Sequence, residues 1–88
     1  MKNSVTKYTI DDIVARSEFV TATIFNKCTV VAMKLPNGFV LVESSACVDP
    51  ANYDAKMGEE ICKTKLINKV WELEGYVLQS EIHEKGTC

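Results

Sequence analysis

Apolar residues recur along the chain at two different periods, and the change of period marks out its elements. Near the start, Ile10, Ile13 and Val14 fall at i, i+3 and i+4, which is one apolar edge of a short helix. Thr9-Ile10-Asp11-Asp12 opens that helix: Thr9 supplies a capping hydroxyl, Asp12 stands in the capping-box position, and both acids suit the positive end of the helix dipole. The helix is expected to end near Ser17. Phe19–Phe25 is then dense in β-branched and aromatic residues, which fit a pleated surface better than a helix. Asn26-Lys27 reads as a tight turn, and Thr29–Leu35 as a second strand. Pro36-Asn37-Gly38 is a strong turn signal, because Pro fixes φ while Asn and Gly accept positive φ. A third strand, Phe39–Glu43, follows at once, so the three strands form an antiparallel meander.

Ser44 to Asn52 is the one irregular stretch of any length. Asp49-Pro50 ends it, since the residue before Pro avoids the α region and Pro suits the first turn of a helix. A long helix is expected from about Pro50 or Ala51. Its buried positions are read as Tyr53, Met57, Ile61, Leu66, Val70, Leu73 and Val77, with Cys62, Ile67 and Trp71 flanking. Gly58 costs about 1 kcal/mol there relative to Ala. Gly75 marks a kink or break, and Gln79 to Cys88 a fraying end. The expected fold is therefore α+β in the order α-β-β-β-α, with the long C-terminal helix packed on the sheet. Residues 1–88 read as a single domain with an ordered core over about 9–80.

Charge and composition narrow the function classes. Ten Lys and Arg against 12 acids, a net charge of -2, offer no basic excess to neutralise phosphates, so nucleic-acid binding is disfavoured. The start is basic but runs straight into Asp11 and Asp12 with no apolar region, so a signal peptide is not expected. No apolar stretch is long enough to span a bilayer, which points to a cytoplasmic protein. The four cysteines, Cys28, Cys47, Cys62 and Cys88, contain no C-x-x-C pair, so reduced thiols are expected and neither a zinc site nor another metal is. At this length dimerisation is a common way to gain stability, and self-association is the expectation.

The chain carries few groups arranged for chemistry. Cys47 precedes a helix N-terminus, where a dipole lowers a thiol pKa, but the only histidine is His83, far along the chain. The alternative for Cys47 is a small apolar side chain in a tight turn. Asp49 and Asp54 read as helix-capping acids rather than metal ligands with Glu43. Asn52 closes a turn or donates to a ligand. Ser44-Ser45 lacks the Gly-x-Ser-x-Gly elbow, and the four glycines form no phosphate loop, so no cofactor is implied. Tyr53, Trp71 and Tyr76 serve core or interface packing, with ligand stacking as the alternative. Lys63, Lys65 and Lys69 with Glu59 and Glu60 form a solvated face with i,i+4 pairs such as Glu59–Lys63.

Glu43-Ser44-Ser45-Ala46-Cys47-Val48-Asp49-Pro50-Ala51-Asn52-Tyr53-Asp54 is similar to the hallmark stretch of a family of small phage and prophage proteins named for phage N-four gene product forty-nine and phage Sf-six gene product sixty-six. Gly58, Ile61, Lys69, Trp71, Leu73-Glu74-Gly75-Tyr76 and Leu78 resemble its second signature, and Asp11-Asp12-Ile13 and Asn37-Gly38-Phe39 fit its layout. Glu72 departs from the pattern, where many relatives carry Pro after the Trp, and this favours a continuous helix. The resemblance implies a phage-encoded protein in a bacterial host and names no reaction. The resulting expectation is a non-enzymatic accessory protein that binds a host protein or small molecule, as in counter-defence. A sponge for a nucleotide signalling molecule, a structural virion component and a thiol-dependent enzyme are the alternatives. The binding or interface candidates are Cys47, Asp49, Asn52, Tyr53, Trp71 and Tyr76.

Overall fold

A computed structural model describes residues 4–86 and contains the expected α-β-β-β-α order. Helix α1 spans Lys7–Ala15, strands β1, β2 and β3 span Glu18–Ile24, Cys28–Lys34 and Val40–Ala46, and helix α2 spans Ala55–Glu84. Cys88 lies outside the described residues.

Helix α1 starts earlier than its acids suggest. Thr6, not Thr9, is the cap: its hydroxyl accepts from the Thr9 backbone N–H at 3.3 Å. Thr9 sits inside the first turn and shares a 3.2 Å side-chain hydrogen bond with Thr6. Asp11 and Asp12 instead face outward and pair along the helix with Lys7 and Arg16.

The strands form one antiparallel sheet in the order β1-β2-β3. Gly38 takes the positive φ (93°) in the Pro36-Asn37-Gly38 turn, and the Asn37 side chain accepts from the Phe39 N–H. The first hairpin is less conventional. Its loop is Phe25-Asn26-Lys27, and Phe25 as well as Asn26 lies in the left-handed region. The third strand continues through Ser44, Ser45 and Ala46, so the irregular stretch is shorter than expected. The reason is register: β3 pairs residue for residue with all seven positions of β2.

The junction after β3 is divided between two acids. Asp49 caps a short 3-10 turn, Pro50–Asn52, by accepting from the Ala51 N–H at 2.9 Å. Tyr53 then returns to extended backbone, and Asp54 caps α2 by accepting from the Met57 N–H at 3.1 Å. The long helix thus begins at Ala55 rather than at Pro50. It runs unbroken through Gly75 to Glu84, so there is no break at Gly75 and no fraying from Gln79 to Glu84.

At about 1.5 Å per residue, the 30 residues of α2 measure roughly 45 Å, about twice the length of a seven-residue strand. The molecule is accordingly elongated, 55 × 22 × 18 Å, with a radius of gyration of 16.1 Å against about 12 Å for a compact chain of this length. The buried line on α2 is Gly58, Cys62, Leu66 and Val70, which packs with Val31 and Met33 of β2, Leu35 and Ile10 of α1. Leu66 and Val70 fall where the periodicity puts them. Met57, Ile61 and Val77 do not, and are exposed. Met57 and Ile61 are displaced because the closest approach of α2 to the sheet runs through Gly58 and Cys62, next to them on the helix.

Candidate functional site

The residues singled out by the sequence fall into two separate groups. Cys47, Asp49, Asn52 and Tyr53 lie together at the junction between β3 and α2. Trp71 and Tyr76 lie along α2, with Trp71 about 26 Å beyond its cap at the helical rise. Five positions apart, these two aromatics point in directions about 140° apart around the helix. The structure therefore builds no single pocket from all six.

Within the junction, each group has a partner that explains its place. The Tyr53 hydroxyl bonds the Thr29 hydroxyl at 2.6 Å and the Thr23 hydroxyl at 2.9 Å, which ties the junction to β1 and β2. Thr29 is wholly buried, and Tyr53 satisfies its hydroxyl. The Cys47 backbone N–H donates to the Lys27 carbonyl at 2.8 Å, while its thiol donates to the Asn52 carbonyl at 3.7 Å. The Asn52 backbone N–H closes the turn on the Asp49 carbonyl. A recess of about 50 Å³ runs beside Cys47, Tyr53 and Gly58. A drug-sized ligand needs about 300 Å³ or more.

The ionic groups are equally committed. Glu43 points toward α2, where the Lys69 ammonium holds it at 2.7 Å. That hydrogen bond holds the Glu43 carboxyl below the usual carboxylate range. Lys65 donates to the Ser44 carbonyl. Lys63 pairs with Glu59, as the i,i+4 spacing predicts, and its ammonium lies 5.3 Å from the centre of the Phe19 ring. The Cys62 thiol is buried and its pKa is raised by loss of solvation, so it is a packing group rather than a reactive one. Cys28, Cys47 and Cys62 form no disulfide. Among the described residues no three His, Cys, Asp or Glu side chains converge to hold a metal ion.

A family model for phage proteins, the N4 Gp49/phage Sf6 gene 66 family, matches residues 5–82, nearly the whole chain. The chain belongs to this family. No curated protein and no solved structure matches it. The phage family's hallmark stretch, as it stands here, is thus the junction just described: the end of β3, a 3-10 turn, and the tyrosine that locks both to the sheet. No helix among the described residues of this family member is long and apolar enough to cross a membrane.

A further surface feature of this phage protein, beyond the six residues above, is the face of its sheet that points away from α2. The α2-facing side of the sheet carries three rows across β1, β2 and β3: Phe19, Met33, Leu41; Thr21, Val31, Glu43; and Thr23, Thr29, Ser45. The opposite side carries Val20, Ala32, Val42; Ala22, Val30, Ser44; and Ile24, Cys28, Ala46. An antiparallel sheet with one covered face ordinarily turns its polar side chains outward. Here, beyond Phe19 and Leu41, the flanking strands turn hydroxyls and a carboxylate to the α2 side of the sheet, and what they turn to the other side is aliphatic apart from Glu18 and Ser44. Val20 remains 69% exposed and Val42 53% exposed. The signal was present in the alternation of Val20, Ala22 and Ile24 with Thr21 and Thr23.

Proposed function

We propose that this phage-encoded chain is an accessory protein that acts by binding a host protein, as a counter-defence factor does, and carries out no reaction of its own. The observation that supports this reading is the placement of Cys47, the thiol ahead of a helix N-terminus, and of His83, the only histidine of the sequence. Cys47 is at the N-terminal end of α2 and His83 is in its last turn, roughly 40 Å away at the helical rise. A thiol and its base must lie within hydrogen-bond reach of one another. The junction acids and hydroxyls are committed to caps and to holding Tyr53, which leaves them structural work. The family membership supports the phage setting.

A protein partner fits better than a small one. The recess beside Lys7, Tyr8 and Asp11 holds about 320 Å³ but is walled by three exposed side chains. The notch between α1, the β2–β3 turn and α2, lined by Ile13, Leu35, Val70 and Leu73, holds about 180 Å³ and opens to solvent. Small-molecule sites typically enclose 300 Å³ or more and bury most of the ligand. The test is capture of the tagged protein from infected cells, followed by identification of co-eluting proteins and small molecules. The expected result is one host protein that rebinds the purified phage protein at a fixed ratio. Turnover of a nucleotide or peptide library, or co-elution of a nucleotide alone, would overturn the reading.

A further inference from the structure

We infer that the open face of the sheet is the contact surface for a second copy of this chain, so that two sheets pack face to face with their helices outside. Its composition points there first. Between the row of Ile24, Cys28 and Ala46 and the row of Val20, Ala32 and Val42, the only polar side chain is Ser44. The only charges on this face, Glu18 and Lys34, stand together in the end row and pair with each other at 3.8 Å. Two such faces can meet without burying an unpaired charge, the main penalty in covering a polar surface. Nucleic acid or a charged peptide would find no complementary group there.

Size points the same way. Strands about 4.8 Å apart with a rise of about 3.4 Å per residue give three seven-residue strands a face of roughly 14 by 23 Å. Two of these faces, stacked about 10 Å apart, have a combined plan area of roughly 650 Å². The relief of their side chains brings the accessible area removed from water toward about 1,000 Å², the least that a specific interface clears. The chain also has reason to need the second layer. Among the described residues seven apolar side chains form its core, while thirteen large apolar side chains are exposed, four of them (Val20, Ile24, Val40 and Val42) on this face. An aliphatic sheet face whose charges pair with each other is matched best by another of its kind, and a second copy supplies it at equal concentration with the same patch on both sides of a twofold axis.

This inference goes beyond the binding reading and does not rest on it: a dimer that captures no host protein would overturn that reading and leave this one standing. Sedimentation of the full chain at 10 to 200 µM (a range set by typical interface affinities of about micromolar) should show a species of twice 9.8 kDa. Val42→Lys, at the middle of the face, should weaken association at least 100-fold with an unchanged far-ultraviolet circular dichroism spectrum. Val77→Lys, exposed on α2 away from the sheet, should leave it intact. Because association favours the folded state, the urea midpoint of the unmodified chain should rise with protein concentration, a readout that needs no variant to fold. A chain that stays monomeric throughout, with a concentration-independent midpoint, overturns the inference. So does a Val42→Lys protein that folds and still dimerises.

Discussion

Gly58 of α2 rests directly on Thr29 of β2. A Cβ added to Gly58 would overlap the Thr29 hydroxyl and come within 2.9 Å of the Thr29 Cβ. This contact fixes how closely the helix can approach the sheet, and it explains why the buried line on α2 starts at a glycine. Gly75, farther along the same helix, meets nothing within 4 Å in the equivalent test.

The two glycines should therefore respond oppositely to the same change. Gly75→Ala should stabilise by about 1 kcal/mol, the helix-propensity difference. Gly58→Ala gains that same propensity but overpacks a closed contact, which costs about 1–3 kcal/mol, so its net effect should be destabilising. Urea titration of both variants measures this directly. A Gly58→Ala protein as stable as Gly75→Ala would mean that the close approach is not maintained in solution.

Tyr53 should matter through its oxygen. Tyr53→Phe keeps the ring and removes the hydroxyl that serves Thr29 and Thr23. Leaving the buried Thr29 hydroxyl without this partner should cost about 1–2 kcal/mol. The double variant Tyr53→Phe with Thr29→Val removes both polar groups and should recover part of the loss. No recovery would place the effect in the ring packing instead.

Glu43 sets an acid limb of stability. Its folded-state pKa is depressed by Lys69, with Lys65 also near, so its contribution is fully present above the unfolded-state pKa of about 4.3 and is lost as pH falls through the lower folded-state value. Thermal midpoints of the unmodified chain should fall across this acid window. In Glu43→Gln they should fall less steeply there and sit lower near neutral pH. Parallel curves for the two proteins would show that the pair contributes nothing in solution.

Phe25 occupies a backbone conformation that suits a different residue. It has φ of 55° at the hairpin tip and is 84% exposed, so its side chain gives little packing in return. Phe25→Asn should stabilise by about 0.5–1 kcal/mol, because Asn tolerates the left-handed region. Phe25→Val, β-branched, should destabilise. If Asn instead lowers the midpoint, the ring makes contacts that outweigh the strain.

Much of the fold was legible because local signals agreed. The Pro36-Asn37-Gly38 turn, the β-branched strands and the acids of the β3–α2 junction each point to one local conformation. The boundaries were less legible. Ser44 and Ser45 resemble loop residues, yet they continue β3 because β2 offers paired backbone groups as far as Cys28. Asp49-Pro50 resembles a helix start, yet Tyr53 must be extended for its hydroxyl to reach Thr29, so the true cap is Asp54. The candidate residues of the junction were found by sequence, but their role as a lock on the sheet depends on partners 24 to 30 positions away.

The sequence by itself determined the order of elements, the two alternating sets on each strand, and the family to which the chain belongs. Which set faces the helix was decided only in three dimensions. In β2 both sets are largely apolar, Thr29, Val31 and Met33 on one side and Cys28, Val30 and Ala32 on the other, so alternation alone is symmetric. The choice is made by long-range contacts: Gly58 leaves room for Thr29, Tyr53 bonds it, and Lys69 reaches Glu43 in the next row. Those contacts turn Val20 and Val42 outward, because a side chain's face follows from what the opposite face must meet.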